Sequence, residues 1–150
     1  MIKSFKFLII VLILQSCAYQ PVHLNKNYNF KFVEINADGN KQINNFLKNS
    51  LTNNINGNKN YKLNLVTVKK REVVSSDTKG DPKIYKLIIE LNYQVYEDEK
   101  QIIDDKIYKQ ITYNSIKDKF ELSQYENNVI KNLSNNISND ILFAVEVFNQ

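Results

Sequence analysis

The chain has 150 residues, 43% apolar and 24% charged, with one cysteine, one histidine and three glycines. A lone cysteine excludes an internal disulfide and a thiol-based metal site, so the fold holds by its core alone. The formal charge of +4 includes Lys3 and Lys6 at the very start, and no concentrated basic face of the kind that binds nucleic acid stands out.

Lys3 and Lys6 precede the uninterrupted apolar stretch Phe7 to Leu14, and the small residue Ser16 follows. A cationic start, a short apolar run and a small residue at the cut make a secretory signal. The run is about 12 Å of helix, whereas a bilayer core needs roughly 20 apolar residues, so a transmembrane span is not expected. Leu14-Gln15-Ser16-Cys17 resembles a bacterial lipobox, whose cysteine thiol receives a diacylglyceryl group before the signal peptidase cuts in front of it. Ser16 and Leu14 fit the usual pattern, while Gln15 is bulkier and more polar than its usual occupant. An ordinary signal peptide with a coincidental cysteine and an uncleaved anchor are the competing readings. Stable anchoring needs at least two acyl chains, and a mature lipoprotein cysteine carries three. Residues 1–16 are therefore read as the signal peptide, 17–27 as a lipidated tether and 28–150 as one α+β domain. From Cys17 onward 18 basic residues face 16 acidic ones, a net charge of +2.

The tether is polar and contains Pro21 and His23. A histidine with no cysteine or carboxylate partners nearby reads as a surface residue, so no metal site is expected. Tyr28, Phe30 and Phe32 alternate at period two, then Val33 and Ile35 take the opposite parity, which predicts a strand with a bulge or with two buried faces. Asn36 to Asn40 is loop chemistry, with Asp38 or Asn40 placed to cap a helix. Ile43, Phe46, Leu47, Leu51 and Ile55 recur at spacings of three and four, predicting an amphipathic helix from Lys41 to Ile55. Asn56-Gly57-Asn58 is expected to end it, with Gly57 left-handed.

Tyr61, Leu63 and Leu65, followed by Val66 and Val68, predict a second strand with another parity change. A strand–helix–strand unit of this length is a right-handed crossover, so the two strands should be parallel. Lys69-Lys70-Arg71 and Val73-Val74 lead into the turn-forming run Ser75 to Pro82. Tyr85, Leu87, Ile89, Leu91, Tyr93 and Val95 form the clearest alternation in the chain, an antiparallel strand with one buried face. Glu97 to Lys100 turns into a fourth strand, Gln101 to Tyr113, where Asp105 and Lys109 interrupt the apolar face. A helical stripe of Leu122, Tyr125, Val129, Leu133, Ile137, Ile141, Ala144, Val145 and Phe148 completes the chain. Two capping boxes, Asp118 to Glu121 and Ser123 to Glu126, leave its start open by one turn. The order β-α-β-β-β-α predicts a two-layer α+β sandwich: a four-stranded mixed sheet with two helices on one face. Asparagine is abundant but interleaved with periodic apolar positions, as in a folded domain rather than a prion-like tract.

The lipobox, the opening Cys17-Ala18-Tyr19-Gln20-Pro21-Val22 and this element order together resemble the lipopolysaccharide-assembly lipoprotein family LptE. Many members open with Cys, a small residue, an aromatic, Gln-Pro and an aliphatic. Ile111-Thr112-Tyr113-Asn114 leading into Glu121–Ile137 is also similar to the family's last strand and helix. The resemblance implies a Gram-negative outer-membrane lipoprotein on the periplasmic side, acylated at Cys17. Its implied partner is the β-barrel LptD, in which it would serve as plug and assembly factor for lipopolysaccharide transport. Ala18 agrees with outer-membrane sorting, because an Asp directly after the cysteine commonly retains lipoproteins in the inner membrane.

Lys69, Lys70, Arg71, Lys79 and Lys83 are candidate lipopolysaccharide-binding residues, since Lys and Arg donors suit phosphates and acidic sugars. A solvated turn is the competing reading, because Glu72, Asp77 and Asp81 lie among them. No enzymatic constellation is expected. His23 lies in the tether, and neighbouring carboxylates at Asp98-Glu99 and Asp104-Asp105 point to opposite sides of a strand. No cofactor is expected beyond the lipid on Cys17. A free periplasm-facing lipoprotein that binds lipid or glycan without a barrel is the alternative function. Cys17→Ser should leave an unprocessed precursor that takes up no radiolabelled palmitate; normal processing would contradict the lipobox.

Overall fold

Apolar residues at every second position of four segments must share one surface, and they do so in a single four-stranded sheet. The computed structural model describes residues 28–53 and 57–150. Their elements are β1 (Phe30–Gly39), α1 (Lys41–Thr52), β2 (Lys59–Ser76), β3 (Pro82–Glu97), β4 (Lys100–Asn114) and α2 (Lys119–Phe148). The sheet order is β1-β2-β3-β4, with β1 parallel to β2 and the other pairs antiparallel. Both helices cover one face, the expected two-layer α+β sandwich. Beneath them lie Phe30, Tyr61, Leu63, Leu65, Leu87, Ile89, Leu91, Tyr93 and Val95. These pack against Ile43, Leu47 and Leu51 of α1 and Ile130, Ile137, Ile141 and Val145 of α2. The signal peptide, the lipobox, Cys17 and His23 lie outside the described residues.

The corner from β1 into α1 is built around Thr67 of β2. Gly39 has φ +93°, and a Cβ there would come within 2.0 Å of the Thr67 carbonyl oxygen. Only glycine tolerates both that backbone and that approach. The next amide, Asn40 N–H, donates to the Thr67 Oγ1 at 2.9 Å and to its carbonyl at 3.1 Å. The Thr67 hydroxyl, almost wholly buried, donates to Asn44 Oδ1 at 2.6 Å. Asn44 Nδ2 reaches back to the Asp38 carbonyl at 3.1 Å. Asn40, rather than Asp38, caps α1: its Oδ1 accepts from Ile43 N–H at 3.1 Å.

The run Asn36 to Gly39, expected as loop, is the end of β1, paired with Asn64 to Thr67; three further expectations are corrected as well. First, β2 has no parity change after Leu65: Thr67 takes the next inward place, leaving Val66 and Val68 exposed on the other side. A hydroxyl with every hydrogen bond satisfied substitutes for the missing aliphatic. Second, β2 does not stop at Val68 but runs to Ser76, because β3 pairs with it as far as Ser76 opposite Pro82. The Lys69-Lys70-Arg71 run is therefore strand, and the turn shrinks to Asp77–Asp81, where the Asp77 carboxylate accepts from the Lys79 and Asp81 amides. Third, α1 ends at Thr52 with Asn53 in right-handed conformation, so Gly57 is not its cap. Gly57 is instead needed for space: a Cβ on it would lie 2.0 Å from the backbone carbon of Phe30. Ile55 lies outside the described residues.

The bulge expected in β1 falls between Phe32 and Glu34. Asp118 caps α2, accepting from Glu121 N–H at 2.9 Å, which settles the helix start in favour of the earlier box. The buried stripe of α2 also includes Ile130 and Leu142, and Ser134 and Ser138, whose hydroxyls donate to the carbonyls four residues back. Its far end is fastened to the sheet by Asn149, whose Oδ1 accepts from Tyr61 OH and Lys59 Nζ, each at 2.7 Å.

The two positive-φ glycines should respond differently to alanine. Gly39→Ala must move the Thr67 backbone and should cost at least about 2 kcal/mol in urea unfolding. Gly80, at φ +90° with nothing within 4 Å of a built Cβ, should cost only the strain of a left-handed residue, roughly 1–2 kcal/mol. Equal losses would show that the corner is not tightly locked.

Candidate functional site

β1 pairs with β2 only as far as Thr67, so the rest of β2 projects beyond it, joined to β3 alone. The first turns of α2 meet this overhang from the helix side, and between them lies a cleft of about 860 Å³. Arg71, Lys83, Tyr85, Lys117, Lys119 and Glu126 line it, with Asp77 and Asp81 of the turn at its edge. At its back is a fixed polar unit. Arg71 Nη1 donates to Glu126 Oε1 at 2.9 Å, and Tyr113 OH donates to the same oxygen at 2.6 Å. The guanidinium carbon sits 4.8 Å from the centre of the Tyr85 ring, a cation–π geometry. Tyr85, Tyr113 and Tyr125 form a chain of rings with centroids 5.7 and 5.5 Å apart.

Electrostatics fix the charge states of Arg71 and Tyr113. The hydrogen bond to Glu126 holds the Arg71 guanidinium protonated beyond its ordinary range. Burial, reinforced by the hydrogen bond to Glu126, pushes the Tyr113 phenol far up, so it stays neutral. Glu126 is largely shielded while Arg71 is about half exposed, 17% against 48%. Arg71 has five N–H donors, and its exposed edge is turned to the cleft. Arg71, Lys83, Lys117 and Lys119 against Asp77, Asp81 and Glu126 make a cleft of mixed charge with a small cationic excess. Such a wall can meet an anionic or hydroxyl-rich ligand by hydrogen bonds, with the Tyr85 ring, Pro82, Ile116 and Leu122 as its apolar part.

The five cations of the sequence reading are not brought together. Successive strand residues point to opposite faces, so Lys70 lies on the side away from the helices, paired to Glu90 at 2.8 Å. That partner raises the Lys70 pKa. Lys69 shares the helix-side parity of Arg71 and is exposed. Arg71 and Lys83 line the cleft, whereas Lys79 sits on the turn, donating its backbone N–H to Asp77. Glu126, Tyr85, Tyr113, Lys117 and Lys119 were not singled out from sequence as a site. Glu126 read as a helix cap, and nothing local links it to Arg71, 55 residues earlier. Asp104 and Asp105 diverge as expected. Asp104 accepts from Gln94 and Gln101 on the open face, while Asp105 sits opposite the core residue Tyr93.

No family model and no curated protein sequence matches the chain. Solved structures do. The rare lipoprotein B of Shewanella oneidensis aligns with a TM-score of 0.57 at 18% identity, over 75% of this chain and 92% of that one. An uncharacterized lipoprotein B from Nitrosomonas europaea aligns with a TM-score of 0.62 at 12% identity, over 87% and 93%. A minor lipoprotein from Acinetobacter baumannii gives 0.55 at 17%, over 78% and 92%. The chain thus shares its α+β fold with solved bacterial lipoproteins, over three quarters or more of its own length and nearly all of theirs.

The raised phenol gives an alkaline prediction. An unfolded tyrosine ionises near pH 10.0, whereas Tyr113 in the fold resists ionisation. The stabilisation is fully present below that pH and is lost as pH rises toward the folded value. Burial also raises Tyr28 and Tyr93, so part of the loss persists without Tyr113. Tyr113→Phe should cost about 1–3 kcal/mol at pH 8 and lose less stability than wild type between pH 9 and 11.5 in urea titrations. Identical alkaline slopes would contradict the assignment.

Proposed function

We propose that this protein is a lipid-anchored, non-enzymatic outer-membrane lipoprotein that plugs and helps assemble a β-barrel of the LptD kind, serving lipopolysaccharide transport. The observation that carries it is the run Leu14-Gln15-Ser16-Cys17-Ala18-Tyr19-Gln20-Pro21-Val22 standing ahead of a fold shared with solved bacterial lipoproteins. The thiol of Cys17 is the acylation site, and residues 17–27 tether the domain to the periplasmic side of the membrane. No helix among the described residues is long and apolar enough to cross a membrane.

Surface chemistry supports the plug. Lumenal walls of wide barrels are polar. The open sheet face offers them a lattice of ion pairs, Lys62 with Glu34 and Glu99, Lys70 with Glu90, and Lys86 with Glu72. The outer side of α2 adds Asn128, Lys131, Asn132, Asn135 and Asn136, all exposed. The lipopolysaccharide role assigned to Lys69, Lys70, Arg71, Lys79 and Lys83 rests best on Arg71 and Lys83, the two that line the cleft.

Affinity purification of the tagged lipoprotein from detergent-solubilised outer membranes tests this reading. A large β-barrel should co-purify in one-to-one ratio and survive washing at high salt. Recovery of the lipoprotein alone would favour the free lipid- or glycan-binding lipoprotein instead.

A further inference from the structure

A strand residue turns its N–H and C=O to one side, and successive residues alternate. The Asn40 amide donates to the Thr67 carbonyl, so Thr67 faces the β1 side. By alternation Lys69, Arg71 and Val73 face that side too, beyond Gly39, where β1 has left. Among the described residues nothing pairs with the N–H or C=O groups of these three. The β-bulge after Val73 closes the run, so β2 carries a bare edge from Lys69 to Val73.

Natural edges are guarded by bulges or by charge that a second strand would have to bury. β4 is guarded: Lys100, Asp104, Asp105 and Lys106 make no ion pair among the described residues. The outer side of β1 is broken by its bulge between Phe32 and Glu34. On the overhang the charges are instead neutralised within the fold, Lys70 by Glu90, Arg71 by Glu126 and Glu72 by Lys86. Val68, Val73 and Val74 flank them, 40%, 52% and 50% exposed. Of the overhang's charges only Lys69 has no ion-pair partner among the described residues. It shares the helix-side parity of Arg71 and Val73.

We propose that the Lys69–Val73 edge is a strand-addition site for an extended segment of the partner barrel, bearing an acidic residue beside Lys69 and an apolar one beside Val73. The occupant rests on the plug reading above; the bare edge does not. An added strand pairs both backbone groups of Lys69, Arg71 and Val73 and lies about 4.8 Å from β2, on the line that β1 leaves at Gly39. Backbone pairing supplies the affinity in such additions, and side-chain neighbours supply the register. The acidic and apolar residues of the segment therefore stand four positions apart, as Lys69 and Val73 do. Every strand of a closed barrel is already paired on both sides, so the segment comes from a connection or a terminus of the barrel chain. A second copy of this chain is disfavoured, because antiparallel pairing about Arg71 sets two guanidinium groups side by side.

The test is residue-resolved hydrogen exchange on the full lipidated chain, alone and in the co-purified barrel complex. In the complex the amides of Lys69, Arg71 and Val73 should exchange at least about 100-fold more slowly than in the free chain. The amides of Tyr108 and Gln110, which alternate outward on the β4 edge, control for simple enclosure in a lumen and should slow by less than about threefold. Lys69→Glu, at an exposed position, should cut the protection at Arg71 and Val73 at least about tenfold, and full protection would overturn the acidic neighbour. A complex in which the three amides exchange as in the free chain, or slow no more than the β4 pair, would overturn the strand addition and leave the plug reading standing. Amides already slow in the free chain would mean that the chain covers its own edge. Slowing with the concentration of lipoprotein alone would assign the edge to a second copy, and either result overturns the proposal. If no barrel co-purifies, the plug reading fails and the proposed occupant with it.

Discussion

One buried hydroxyl sets the geometry on which the sheet depends. Thr67 receives the Asn40 amide, donates to Asn44 and lies against Gly39, so it ties β1, α1 and β2 together at one point. A parallel strand pair has no hairpin to hold its register and must return through a long connection. Here that connection is fixed at its first residue, and α1 is laid on the sheet from there. The apolar side chains Ile43, Leu47 and Leu51 supply the burial energy, but the polar corner decides where they go.

The early end of β1 has a second consequence. Because β1 turns away at Gly39, the second half of β2 has β3 as its only strand neighbour, and α2 takes over as its cover. Arg71 and Glu126 join across that space, with Tyr113 and Tyr85 in support. An exposed ion pair contributes little to stability by itself. This one is partly shielded and shares its carboxylate with a buried phenol, so it orders the wall of the cleft. The same overhang that leaves an edge bare makes room for a site.

The two ends of the domain consequently differ. At one end are the chain entry and the Asn149 fastening. At the other are the mixed-charge cleft and the Asp77–Asp81 turn. The long helix α2 spans the distance between these ends, and the shorter α1 lies beside it over the core.

The sequence by itself determined the elements and their order. Period-two runs such as Tyr85 to Val95 and the three-and-four spacing from Leu122 to Phe148 are local signals, set by neighbours a few residues away. The Asn40 and Asp118 caps are equally local, since each serves an amide three residues on. Tertiary structure alone decided that Thr67 faces inward, that β2 continues to Ser76, and that Lys70 parts from Arg71. It also brought Arg71 to Glu126. In each case the deciding partner lies far along the chain: Asn44 for Thr67, Pro82 for the end of β2, Glu126 for Arg71. Side-chain polarity records what a residue prefers, but only the folded chain supplies the distant group that lets a hydroxyl be buried or a cation be held.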